Sequence, residues 1–214
     1  MSLAIPPLAR VPATERGVTI ADFLLPIGVG ERVSPLLRNV TLVVVGAILI
    51  YLTALVSIPL TNNPVPVTLQ NFGVLVVGGA LGLRRGFASA FLYLALGVVG
   101  LPFFAEGKGG LTVIWGATGG YLVGFVLAAA VVGRLAELGW DRRIGGAIGA
   151  TALGTATIYL VGVPWLAIST HNSLAWAIEN GLQPFIVVDT LKLLAAAAVF
   201  PAAWWVVGRR PSDR

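Results

Sequence analysis

The chain has 214 residues, of which 57% are hydrophobic and 11% charged, with a net charge of +5. A soluble domain carries about a quarter charged residues, so this composition excludes an ordinary soluble fold and points to membrane spans of roughly 20 apolar residues each. With no cysteine and one histidine, His171, it excludes disulfides, iron–sulfur clusters and cysteine- or histidine-rich metal sites, and its scattered basic residues form no patch of the kind nucleic acid requires.

Residues 1–37 read as a cytoplasmic N-terminal extension, rich in proline and charge. Within it, Val18–Leu25 fits either a short helix on the membrane surface or part of a mobile tail. No early apolar core precedes a small-residue cleavage site, so no removable signal peptide is expected. A membrane domain follows over 38–214. Its spans are expected at about Val40–Leu60, Leu69–Leu83, Phe87–Leu101, Val113–Val132, Ile144–Val163 and Pro184–Val207. The second and third are short, which local thinning or burial among other helices accommodates. The apolar runs do not alternate with period two, so a barrel is excluded and the spans are helices. The expected fold is an all-α integral membrane six-helix bundle.

Orientation follows from the basic residues. Arg32 and Arg38 precede the first span, Arg84 and Arg85 separate the second and third, Arg134, Arg142 and Arg143 separate the fourth and fifth, and Arg209, Arg210 and Arg214 follow the sixth. The alternate loops contain only Lys108. Basic loops stay in the cytoplasm, so both termini are expected inside, in a multi-pass protein of a bacterial or archaeal cell membrane. Glycines four apart (Gly78, Gly82 and Gly86; Gly116, Gly120 and Gly124; Gly145 and Gly149) let helix backbones approach closely. They serve either internal packing or docking of a partner.

Away from span ends, the only charges inside a span are Asp189 and Lys192. Three residues apart, they share one face of the last helix. Each costs roughly 2.5–3.5 kcal/mol near the bilayer centre. Asp189 lies about 7 Å along the axis from Pro184, at roughly 1.5 Å per residue, and so in the outer half of the membrane. The pair either forms a polar ligand pocket or neutralises itself to fix helix packing. Two outward segments add polar groups: Pro66–Asn71, with Gln70, and Gly109–Tyr121, with Gly110. Adjacent glycines bring backbone amides close to a ligand, and Trp115 and Tyr121 can wall a ring-shaped molecule or anchor the interface. Trp204 and Trp205, beside the last arginines, read as interface anchors.

Gly107-Lys108 is followed by glycine, so no phosphate-binding loop of the Gly-Lys-Ser/Thr type occurs. No His-Glu-x-x-His pair and no membrane-protease motif occurs either. An enzyme is not expected, no cofactor is implied, and binding or transport remains.

Several stretches resemble the BioY family, the biotin-specific membrane subunits (S components) of energy-coupling factor (ECF) transporters. They are Pro64-Val65-Pro66-Val67-Thr68-Leu69-Gln70, Gly97 to Ala105, Gly109-Gly110, Gly116-Ala117-Thr118-Gly119-Gly120-Tyr121-Leu122-Val123-Gly124-Phe125, and Asp189-Thr190-Leu191-Lys192. The family more often has proline where Ala117 stands. The resemblance runs from about Val40 to the end and implies a bundle that captures biotin at its outer face, under the loops after spans one and three. It implies ligand contact by Asp189 and Lys192, with Gln70, Gly110 and Tyr121 as further pocket residues. It also implies a membrane coupling subunit and two ATP-binding subunits as partners. A self-sufficient secondary transporter using Asp189 for proton coupling is the alternative, although no internal repeat of the kind such transporters show is present.

Overall fold

The structure is a computed structural model that describes residues 18–24 and 34–206. The rest of the N-terminal extension, with Arg32, and the arginines after the sixth span lie outside those residues. The helices are α1 (Ala21–Leu24), α2 (Pro35–Ala54), α3 (Gln70–Val98), α4 (Leu111–Trp115), α5 (Gly119–Glu137), α6 (Ile144–Ser169), α7 (Leu174–Gly181) and α8 (Ile186–Val206). A two-stranded antiparallel ribbon, β1 (Ser57–Ile58) and β2 (Val67–Thr68), joins α2 to α3 in the register Ser57↔Thr68 and Ile58↔Val67. It takes the expected end of span one as well as the loop after it into an ordered cover, so the first span runs Pro35–Ala54, not about Val40–Leu60.

Five helical runs among the described residues are long and apolar enough to cross a membrane. One of them, α3, is two rods. Gly82 breaks it with φ 82° and ψ −179°, a backbone conformation open essentially to glycine alone. The chain folds back there: a Cβ on Gly86 would lie 2.9 Å from the Cα of Gly78. The first arm, 70–81, and the second, 83–98, are the expected second and third spans, so the six-rod bundle holds. The second arm starts with the Leu83 N–H donating 2.9 Å to Glu137 Oε1. That carboxylate satisfies an otherwise orphaned helix N-terminal donor.

Further boundaries differ from the sequence expectation. The fourth span begins at Gly119, not Val113, because Gly116 is extended (φ −82°, ψ −172°) and detaches α4. The fifth continues past Pro164 to Ser169, since in membrane bundles neighbouring groups compensate the hydrogen bond that proline removes. The last apolar run contains an extra short helix, α7, before α8.

The glycine pairs settle largely as internal packing. A Cβ on Gly78 would lie 2.7 Å from the carbonyl oxygen of Ala129, and one on Gly124 3.0 Å from the backbone of Ile158. Gly145 has open space around it. On α2 the small residues Gly46, Ala47 and Ala54 face the core, while Val44, Val45, Ile48 and Leu52 point outward. Trp204 corrects the anchor assignment. It is 4% exposed, and its indole N–H donates 2.8 Å to Asp141 Oδ2, whereas Trp205 is exposed.

At one end of the bundle, Thr19, Ile20 and Ala21 are buried beside α1. Ile20 joins a core cluster with Leu75, Val132 and Phe200. Asp22 Oδ1 accepts from Arg85 Nη1 at 2.8 Å and from Arg38 Nη2 at 3.3 Å. Burial pushes the Asp22 carboxyl up, but Arg85 and Thr19 outweigh it and hold the group below its usual range. This basic end is the expected cytoplasmic one, and Lys108 lies at the opposite end. A cysteine placed at exposed Arg84 is therefore expected to be protected from an impermeant thiol reagent on intact cells. A cysteine at Lys108 is expected to react. The reverse pattern would invert the orientation.

Candidate functional site

The end of the bundle away from Asp22 holds a cavity of about 300 Å³, at the small end of the range for ligand pockets. Two covers are built over it. The first is the β1–β2 ribbon and its loop, where Asn63 Nδ2 donates 2.8 Å to the Asn180 carbonyl of α7. The second is the segment between α3 and α4. Its Phe104 ring sits where a side chain on Gly97 would be, and its Phe104 N–H donates 2.9 Å to the Lys108 carbonyl.

Asp189 and Lys192 come together on the cavity wall, as their spacing requires. Lys192 Nζ donates 2.7 Å to Asp189 Oδ1 and 2.6 Å to the carbonyl of Thr68 in β2. Tyr159, from α6, donates its hydroxyl to Asp189 Oδ2. Each carboxylate oxygen thus already accepts one hydrogen bond and has capacity for another. The ammonium has spent two of its three N–H groups on these partners. Asp189 is 7% exposed, so a buried charge is here paired and hydrogen-bonded, the condition under which burial is tolerated.

Gln70 and Tyr121 also line the cavity. Gln70 Nε2 donates to the hydroxyl of Tyr93, which joins the start of the first arm of α3 to its second arm. Tyr121 donates 2.9 Å to the Gly181 carbonyl, so its hydroxyl is committed to α7 and its ring is what faces the cavity. That ring fits because position 162 is glycine: a Cβ there would lie 2.5 Å from it. Gly110 does not line the cavity. Its φ of 93° makes the turn into α4, and its N–H donates 2.7 Å to the Gly97 carbonyl, so this amide is already used. Trp115 is likewise elsewhere. It is 69% exposed and packs beside Trp165, at 5.9 Å between ring centroids.

Sequence reasoning missed Tyr159. Its signal was a phenol in the interior of an apolar span, where a hydroxyl must find a partner within the protein. It also missed the rim. Glu106 and Lys108 line the cavity as an ion pair at 2.5 Å, with the Lys108 side chain 61% exposed. The pocket therefore has a cluster of buried Asp189 with the partly buried Lys192 and Tyr159, aromatic walls from Phe104, Tyr121 and Phe125, and the Glu106–Lys108 ion pair at its mouth.

The sequence model described as the BioY family matches residues 25–209, reaching further toward the N-terminus than the resemblance read from about Val40 onward. The chain is 42% identical over 155 residues to a biotin transporter BioY of Thermotoga maritima, covering 71% of this chain and 86% of that protein. To a biotin transporter BioY of Rhodobacter capsulatus it is 35% identical over 173 residues, covering 76% and 90%. Among solved structures, it matches the crystal structure of the S-component for biotin from an ECF-type ABC transporter. The TM-score is 0.70 at 28% identity, covering 77% of this chain and 89% of that one.

Proposed function

The chain belongs to the BioY family, and from that premise we propose that it is the membrane subunit that captures biotin at the outer face of the cell membrane for ATP-driven uptake by partner subunits. The observation that carries the reading is the Asp189–Lys192 pair, with its carboxylate buried, on the wall of a cavity of ligand size. A cyclic urea presents an N–H donor and a C=O acceptor side by side on one edge. A carboxylate oxygen and an ammonium 2.7 Å apart present the complementary acceptor and donor. This complementarity supports a reading in which the ureido ring meets Asp189 and Lys192. The apolar thioether ring lies among Phe104, Tyr121 and Phe125. In that reading the carboxylate tail extends to the mouth, where it competes with Glu106 for the Lys108 ammonium.

The partners that fit are a membrane coupling subunit and two ATP-binding subunits, since no phosphate-binding loop occurs in this chain. The purified chain is expected to bind biotin with one site in titration calorimetry and to show no ATPase activity. Concentrative uptake is expected only when the ATP-hydrolysing partners are co-expressed. Absence of biotin binding by the folded chain would overturn the reading. Uptake driven by a proton gradient without those partners would replace it by a secondary transporter.

A further inference from the structure

We propose that Tyr159 is a positioning residue for ligand recognition: its hydroxyl orients the Asp189 carboxylate so that a ureido N–H meets a fixed acceptor. The inference rests on the biotin-capture reading. Asp189 reaches the cavity from α8, whereas Tyr159 reaches it from α6, so the carboxylate is held between two helices. Lys192 engages only Oδ1. One hydrogen bond leaves a carboxylate free to swing about its terminal torsion, whose wells are broad. The second bond, from Tyr159 to Oδ2, removes that freedom.

The phenol is itself held. Its ring meets Tyr121 edge-on, at 6.2 Å between centroids and 89° between planes. Tyr121 is in turn fixed by its bond to the Gly181 carbonyl. The path from α7 through Tyr121 and Tyr159 to Asp189 ends at Lys192 and at the Thr68 carbonyl of the ribbon. Every member of that path lines the cavity. A hydroxyl that served packing alone needs no carboxylate partner. This one donates to the only acid buried on the cavity wall among the described residues.

Tyr159→Phe removes the hydroxyl and keeps the ring. It is expected to weaken biotin binding about tenfold or more, the scale of one lost hydrogen bond to a charged group. Desthiobiotin, which keeps the cyclic urea and lacks the sulfur bridge, should lose affinity by the same factor. In an Asp189→Ala background the same change should alter affinity less than about twofold, because the carboxylate it orients is gone. The melting temperature of the ligand-free chain reports any separate structural loss. Wild-type affinity in Tyr159→Phe would overturn the inference, as would an equal cost with and without Asp189. A folded wild-type chain that fails to bind biotin would instead overturn the underlying reading, and the inference with it.

Discussion

Replacing Asp189 with alanine is expected to weaken biotin binding by about ten- to a hundredfold, because it removes a hydrogen bond to a charged acceptor, about 1.5–3 kcal/mol, at about 1.4 kcal/mol per decade. The variant also strands the Lys192 ammonium, leaving it the Thr68 carbonyl at 2.6 Å. Lys192→Ala is expected to cost at least as much. It removes the donor to the ligand, leaves Asp189 with Tyr159 alone, and unhooks α8 from the ribbon that covers the cavity. Titration calorimetry on the single variants and on a double Asp189→Leu, Lys192→Leu variant separates recognition from mere charge neutralisation. Replacing a buried ion pair by apolar residues is often neutral or stabilising for the fold. The double variant should therefore remain folded yet bind biotin poorly. Near-wild-type affinity in that variant would remove both residues from the site and leave Gln70 and the rim as candidates.

The second large effect is expected at the fold-back of α3. Gly82→Ala places a Cβ at φ 82° and ψ −179°, a strain of about 1–3 kcal/mol. Its Cβ would also lie 2.7 Å from Thr19 Cγ2 and 2.8 Å from Glu137 Oε1. Glu137 Oε1 accepts the Leu83 N–H, so displacing it uncaps the second arm. Gly78→Ala drives a methyl group to 2.7 Å from the Ala129 carbonyl oxygen. The nearest atoms to that methyl group are all Ala129 backbone, so two helix backbones must separate, at about 1–3 kcal/mol for overpacking. Each variant is expected to melt roughly 5–10 °C below wild type in detergent micelles. Gly145→Ala, with open space around the new methyl group, serves as control and should melt near wild type. Equal melting temperatures for Gly78→Ala and Gly145→Ala would remove close packing as the reason for the glycine at 78.

The rods and the acid–base pair were readable in one dimension for a physical reason. Hydrocarbon forces every backbone group to pair within its own helix, so span number follows from apolar runs, and basic loops set the expected orientation. A charge in such a run is costly enough to mark itself, and the three-residue spacing of Asp189 and Lys192 puts them on one face whatever the neighbours are. Helix ends were less legible. The backbone at Gly116 looks the same in sequence as a continuing helix, and the step past Pro164 depends on what packs against it.

Pocket membership was hardest to read, because it is decided by residues far apart in the chain. Gly110 and Gly109 read alike as ligand-approaching glycines, yet the Gly110 amide is taken up by Gly97. Tyr121 sits in the motif and faces the cavity, but its hydroxyl is directed by Gly181, 60 residues away. Tyr159 carried no motif and became part of the site because α6 crosses α8 at that height, bringing it within reach of a residue 30 positions later. Sequence alone determined the membrane class, the six rods and the Asp189–Lys192 pair, since each rests on local hydrophobicity or helical spacing. Only the tertiary structure decided the fold-back at Gly82, the ribbon cover and the partners of the pair, since each rests on contacts between helices that no local pattern encodes.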